Sequence, residues 1–210
     1  RGLGDVYKRQ VLLQSSVNSF GSIAMAGYTA ANNIFGFLFV SINSITQACM
    51  SFTSQNYGAG NLKRCKKIFG LCMLFGIGFT EILSIIFIIW DDFFVSIYTT
   101  SAAVAVYGII RMHHVCLLEG VTATYEVGSA SLRGMGKSIE PSIITILGTV
   151  VFRMIWMVTV FKMVPTYDML MNVYISSWIF TGGAIFVVYF LHMKKTEANA
   201  AKKTLCSTSL

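Results

Sequence analysis

The chain has 210 residues, 55% of them hydrophobic and 12% charged, with a formal net charge of +7 and a mean hydropathy of +0.67. Soluble domains carry about 25% charged residues, so a water-soluble globule is excluded and an integral membrane protein is expected. The positive charge lies in short runs with no aromatic-plus-basic groove pattern, which makes it a topology signal and argues against nucleic acid as a partner.

Residues 1–10, RGLGDVYKRQ, open on Arg and share nothing with the apolar text after them. They read as a non-native scar, and the natural protein is expected to extend upstream. Val11–Phe20 is apolar but shorter than the roughly 20 residues a crossing needs. It reads as the end of a helix, closed by a turn over Asn18–Ser22.

The first complete span is expected from about Ala30 to Phe52. It carries a helix-period polar stripe of Gly36, Ser44, Gln47, Ser51 and Ser54, with Asn43 alongside. Neutral polar groups in a span need partners on neighbouring helices or a water-filled cavity, so either interhelical bonding or a substrate-facing wall fits. Gly58 and Gly60 then permit left-handed backbone at the helix end, and Lys63, Arg64, Lys66 and Lys67 follow at once. A second span is expected over Ile68–Trp90, with Gly70, Gly76 and Gly78 as close-packing positions and Glu81 near its middle. Asp91 and Asp92 come next.

One continuous helix is expected from about Ala102 to Leu132, with Arg111, His113 and His114 near the surface at its start. Glu119, Thr122, Glu126, Ser129 and Arg133 step by three and four residues, which places them on one stripe. A charge at the centre of a membrane helix costs roughly 2.5–3.5 kcal/mol on insertion scales, so this stripe faces something other than lipid. Two carboxylates two turns apart can exchange protons or hold a cation where they line a cavity; protonated groups that fix helix packing are the plainer reading. A fourth span is expected over Ser142–Val164, carrying Arg153, which needs a carboxylate or an aqueous path. Glu126 and Glu119 are its expected partners. The fifth complete span is expected over Leu170–Leu191, with Gly182 and Gly183 inside, and residues 193–210 form a basic tail.

Basic residues fall on one side of these spans: Lys63, Arg64, Lys66, Lys67, Arg133, Lys137, Lys194, Lys195, Lys202 and Lys203. Asp91, Asp92 and Asp168 mark the other. The positive-inside rule then puts the basic side and the C-terminus in the cytoplasm. The fold expected is an all-α integral membrane bundle of about five complete transmembrane helices plus the end of a sixth, over residues 11–192.

Other chemistry fits poorly. Gly134–Ser138 lacks the first glycine of a P-loop and follows a helix rather than a strand. His113-His114 lacks HExxH order, and a G-x-S-x-G elbow is absent. Five cysteines without CxxC spacing read as free thiols rather than disulfides or a metal set. A membrane enzyme would need a convergent nucleophile or metal group that cannot be assembled. A scaffold would leave the paired carboxylates unexplained.

The segments VNSFGSIAMAGYTAANNI, SFTSQNYGAGNLKRCKK, EVGSASLRGMGKSIEPS and VVFRMIW together resemble the C-terminal half of multidrug and toxic compound extrusion (MATE) transporters. The resemblance covers about Val11 to His192. It implies spans seven (in part) to twelve of a two-lobed exporter, with the N-terminal lobe missing. It implies exchange of Na+ or H+ for small organic, often cationic, compounds across the plasma membrane, with no cofactor. It places Glu126 within span ten, where acidic residues of some branches take part in cation coupling. The aspartate that some branches carry earlier in that span is absent, with Thr122 near its place. The expected cation-coupling residues are Glu126, Glu119, Arg153 and Glu81. The expected substrate wall is Asn43, Ser44, Gln47, Ser51, Thr122 and Ser129. A lipid-linked flippase of similar architecture is the alternative and calls for a more cationic cavity.

Overall fold

A computed structural model describes residues 21–116 and 118–208. The expected scar and the piece Val11–Phe20 lie outside the described residues, as does most of the Asn18–Ser22 turn. Gly21, at φ 93, opens the first helix.

α1 runs Ser22–Gly58 and α2 runs Leu62–Ile89. Both outlast the expected spans, because their ends continue as helix beyond the apolar window. Gly60 adopts φ 73 between them, a conformation that costs glycine little. The Asn61 side chain accepts the Arg64 N–H at 3.2 Å and starts α2, which satisfies one of the free donors of a helix N-terminus. The short α3, Asp91–Ser96, follows Trp90.

The expected third helix is broken. α4 covers Ala102–Cys116 and α5 covers Gly120–Gly134, and the two are bent by 52°. The fourth span starts at Ile139 as α6, Ile139–Ile146. It widens into a π-helical turn at Leu147–Val151 and resumes as α7, Phe152–Val158, and α8, Val160–Met163. α9 runs unbroken over Tyr167–Thr208, so helix continues through the expected basic tail.

Among the described residues, four helices are long and apolar enough to cross a membrane: α1, α2, the α6–α8 run and α9. The bent α4–α5 pair makes a fifth. α5 sits at the centre and packs against α1, α2 and α9. Around its lower part Cys49, Val127, Leu132, Ile185 and Tyr189 form one buried cluster, where Phe69 and Tyr189 stack at 3.9 Å. Outward faces carry Phe37, Phe75, Ile82, Val158, Phe190 and many similar side chains. So large an apolar exterior suits lipid rather than water.

The glycines pack more selectively than their spacing suggests. A Cβ on Gly76 would touch Val127 and Ala123, whereas Gly70, Gly78 and Gly183 face open space. Gly27 packs against Val104, Tyr107 and Gly108, which brings α1 and α4 into close contact.

Candidate functional site

The break between α4 and α5 is built from side chains of two elements. Thr122 Oγ1 donates to the Glu119 carbonyl at 2.5 Å and lies 3.2 Å from Glu119 Oε1. Glu81, on α2, accepts the Gly120 N–H at 2.8 Å. Glu81 thus meets the positive end of the α5 backbone dipole and satisfies one of its free donors. A Cβ on Gly120 would run into the Glu81 carboxylate, which would have to shift. Glu81, which the sequence leaves isolated on its helix, therefore closes the N-terminus of the half-helix that carries Glu126.

The stripe expected on one straight helix divides accordingly. Glu119 stays at the break and is half-buried. Thr122 and Ser129 are buried, at 5% and 2% exposure, and the Ser129 hydroxyl has no partner among the described residues. Glu126 is half-buried, and Arg133 is exposed. Glu126 makes no hydrogen bond or ion pair among the described residues. On α1 the four expected wall residues, Asn43, Ser44, Gln47 and Ser51, are all exposed. Asn33, Gly36, Ser54 and Gln55 extend the same exposed stripe along the helix. Ser44 returns its hydroxyl to the Val40 carbonyl at 3.0 Å.

Arg153 does not pair with Glu119 or Glu126. Its Nε donates to Ser177 Oγ at 3.0 Å, and its guanidinium lies 4.5 Å from the centre of the Tyr174 ring. Two devices other than a counter-ion therefore hold it, a hydroxyl acceptor and a ring face.

Arg111 corrects the sequence reading more sharply. Expected near the surface, it is buried at 3% exposure. Its Nη2 donates to Asn32 Oδ1 at 2.7 Å and its Nη1 points at Met171 Sδ at 3.2 Å. The rings of Tyr28, Phe35 and Tyr174 surround it at 3.9, 5.2 and 5.0 Å. The Tyr28 and Tyr174 hydroxyls bond each other at 2.9 Å. Arg153 is therefore not the only deep cation. The available signal was spacing: Arg111 lies three residues from Gly108, on the face that packs against α1, whereas His113 points away from it.

The two histidines pair with aspartates. His113 Nε2 meets Asp91 Oδ2 at 2.7 Å, and His114 Nε2 meets Asp168 Oδ1 at 3.4 Å. They tie α4 to the acidic end of the bundle. Among the described residues no group of three or more metal-ligating side chains occurs, and Cys49, Cys65, Cys72 and Cys116 are free thiols.

Comparison with known proteins agrees with this architecture. The MatE family profile matches residues 7–159. The Vibrio cholerae MATE transporter VcmN, in its bent form, matches with a TM-score of 0.82 at 15% identity, over 90% of this chain and 43% of that one. The MATE transporter ClbM in complex with Rb+ matches with a TM-score of 0.70 at 18% identity, over 89% of this chain and 42% of that one. At such identities the likeness establishes the fold. The chain spans less than half the length of either structure. No curated protein matches it.

Proposed function

Because the chain belongs to the MatE family, we propose that it is the C-terminal half of a multi-pass secondary-active exporter in the plasma membrane. The exporter exchanges Na+ or H+ for small organic, often cationic, compounds by alternating access. An N-terminal lobe of the same chain completes it, and the C-terminus is cytoplasmic. The family and both solved relatives are transporters, which sets enzyme readings aside.

The observation that carries this reading is the polar stripe on α1. Asn43, Ser44, Gln47 and Ser51 stay exposed along a span whose neighbouring faces are apolar. Hydrocarbon disfavours such a stripe, and a water-filled cavity between two lobes accommodates it. Thr122 and Ser129, the other expected wall residues, are buried on α5.

The coupling residues proposed are Glu126, Glu119, Glu81 and Arg153. Glu126 is half-buried and unpartnered, so it is open to a proton or Na+. Glu119 and Glu81 flank a helix break, the kind of place where transporters handle ions. Neutralising these carboxylates from outside shifts the balance between outward and inward states, provided the ion binds one state more tightly than the other. In the full-length transporter Glu126→Gln should abolish efflux of a fluorescent organic cation while leaving the amount of protein in the membrane unchanged. Normal efflux by that variant would remove Glu126 from the mechanism.

A lipid-linked flippase is the second reading. Pyrophosphate needs a cationic cavity, and Arg153, whose Nη1 and Nη2 have no partner among the described residues, is the group that favours this reading; Arg111 is enclosed at 3% exposure. Translocation of a fluorescent lipid-linked oligosaccharide in proteoliposomes, without any imposed Na+ or H+ gradient, would establish it.

A further inference from the structure

We propose that Arg153 anchors a second binding site, one for the carboxylate of an aromatic acid, separate from the acidic groups that would take the coupling ion. The site rests on the reading above in one respect: the Arg153 side chain must open onto the transporter's cavity.

The guanidinium is held in place but not used up. Ser177 fixes Nε at 3.0 Å and is itself fixed, donating to the Tyr174 carbonyl at 2.7 Å. The Tyr174 ring supports one face of the guanidinium. Nη1 and Nη2 have no partner among the described residues, and neither is sealed inside the protein. An immobilised guanidinium with both terminal nitrogens free is suited to a carboxylate, which accepts two parallel N–H bonds from it.

Depth excludes the ordinary alternative of solvation at the membrane surface. Arg153 lies ten residues before Met163, and Ser177 ten residues after Tyr167. Both therefore sit about 15 Å from the acidic end of the bundle at the rise of an α-helix. A charged fork at that depth cannot open onto acyl chains without a cost of several kcal/mol.

The charge around it is unbalanced. Arg111 lies on the same phenol, 5.0 Å from the Tyr174 centroid, and its buried Nε has no partner. Among the described residues neither arginine has a carboxylate within ion-pair distance. Two cations thus share one ring, and an anionic guest supplies the missing charge. Aromatic side chains border the guanidinium: Tyr174 lies on it, Trp178 packs beside Tyr174 with ring centroids 6.0 Å apart, and the Tyr28 hydroxyl bonds that of Tyr174. That surrounding selects an aromatic acid over a small inorganic anion.

The test uses the purified full-length transporter in detergent and calorimetric titration with benzoate, benzamide and phenyl phosphate. Benzoate should bind, and benzamide at least tenfold more weakly. Arg153→Gln should weaken benzoate at least tenfold, with partial recovery in Arg153→Lys. The melting temperature of each variant, read alongside, separates loss of the site from loss of the fold. Equal binding of benzoate and benzamide, or benzoate affinity indifferent to Arg153→Gln, would overturn the site. Phenyl phosphate binding as tightly as benzoate would overturn the carboxylate assignment in favour of a phosphate guest such as a lipid headgroup. Gradient-driven efflux of an organic cation is measured separately, so failure of the export reading and failure of this site give different results.

Discussion

The Glu81 carboxylate accepts the backbone N–H of Gly120 at 2.8 Å, across 39 positions of sequence. One helix thereby supplies the cap that another helix lacks. This contact joins the local Thr122–Glu119 bonds at the α4–α5 bend.

Removing that cap should loosen the central helix. Glu81→Ala is expected to cost about 1.5–3 kcal/mol, the range for a hydrogen bond to a charged group. Glu81→Gln, which keeps an acceptor oxygen, should cost less. Gly120→Ala should be at least as harmful as Glu81→Ala, because its methyl group displaces the carboxylate. Thermal unfolding of the purified full-length protein reads all three, and a Glu81→Ala protein as stable as the parent would show that Glu81 has no capping role.

Glycine substitutions should separate by contact, not by sequence pattern. Gly27→Ala forces a methyl against the Val104 carbonyl at 2.6 Å and Tyr107 Cβ at 2.8 Å, an overpacking expected to cost about 1–3 kcal/mol. Gly70→Ala meets nothing and should leave the melting temperature unchanged or raise it, since alanine favours helix. The two variants measured side by side in the same detergent check this.

Labelling should show opposite sides for the two kinds of loop. In a cysteine-free background, Asp92→Cys is expected to react with a membrane-impermeant maleimide in intact cells. Lys63→Cys should react only after permeabilisation. The reverse pattern would invert the bundle in the membrane.

Hydropathy and the alternation of basic and acidic loops were enough to read the spans, because both depend on composition within about 20 residues. The features that shape the site depend on distant partners. The apolar and polar spacing around Glu119 continues smoothly across the break, so periodicity alone predicts a straight helix; the partner that meets the break, Glu81, comes from another helix. Arg111 sits among His113 and His114 and looks interfacial, yet Asn32, Tyr28 and Met171 from two other helices enclose it. Gly70 and Gly76 look equivalent in sequence, and only their placement relative to α5 separates them. Arg153 differs for a related reason: its charge calls for a carboxylate, and a serine with a phenol ring serves instead.

The π-helical turn at Leu147–Val151 also sets the phase of everything after it. It accommodates about one residue more than an ordinary turn, which rotates the downstream segment by roughly 100° relative to an uninterrupted α-helix. Gly148 lets that wider turn sit against Thr181, and Arg153 then arrives facing Ser177. Deleting Val150 should rewind the segment into a regular helix and swing the guanidinium away from Tyr174, leaving composition and span length almost unchanged. A single residue of chain length, rather than the identity of any side chain, thus determines where this positive charge points.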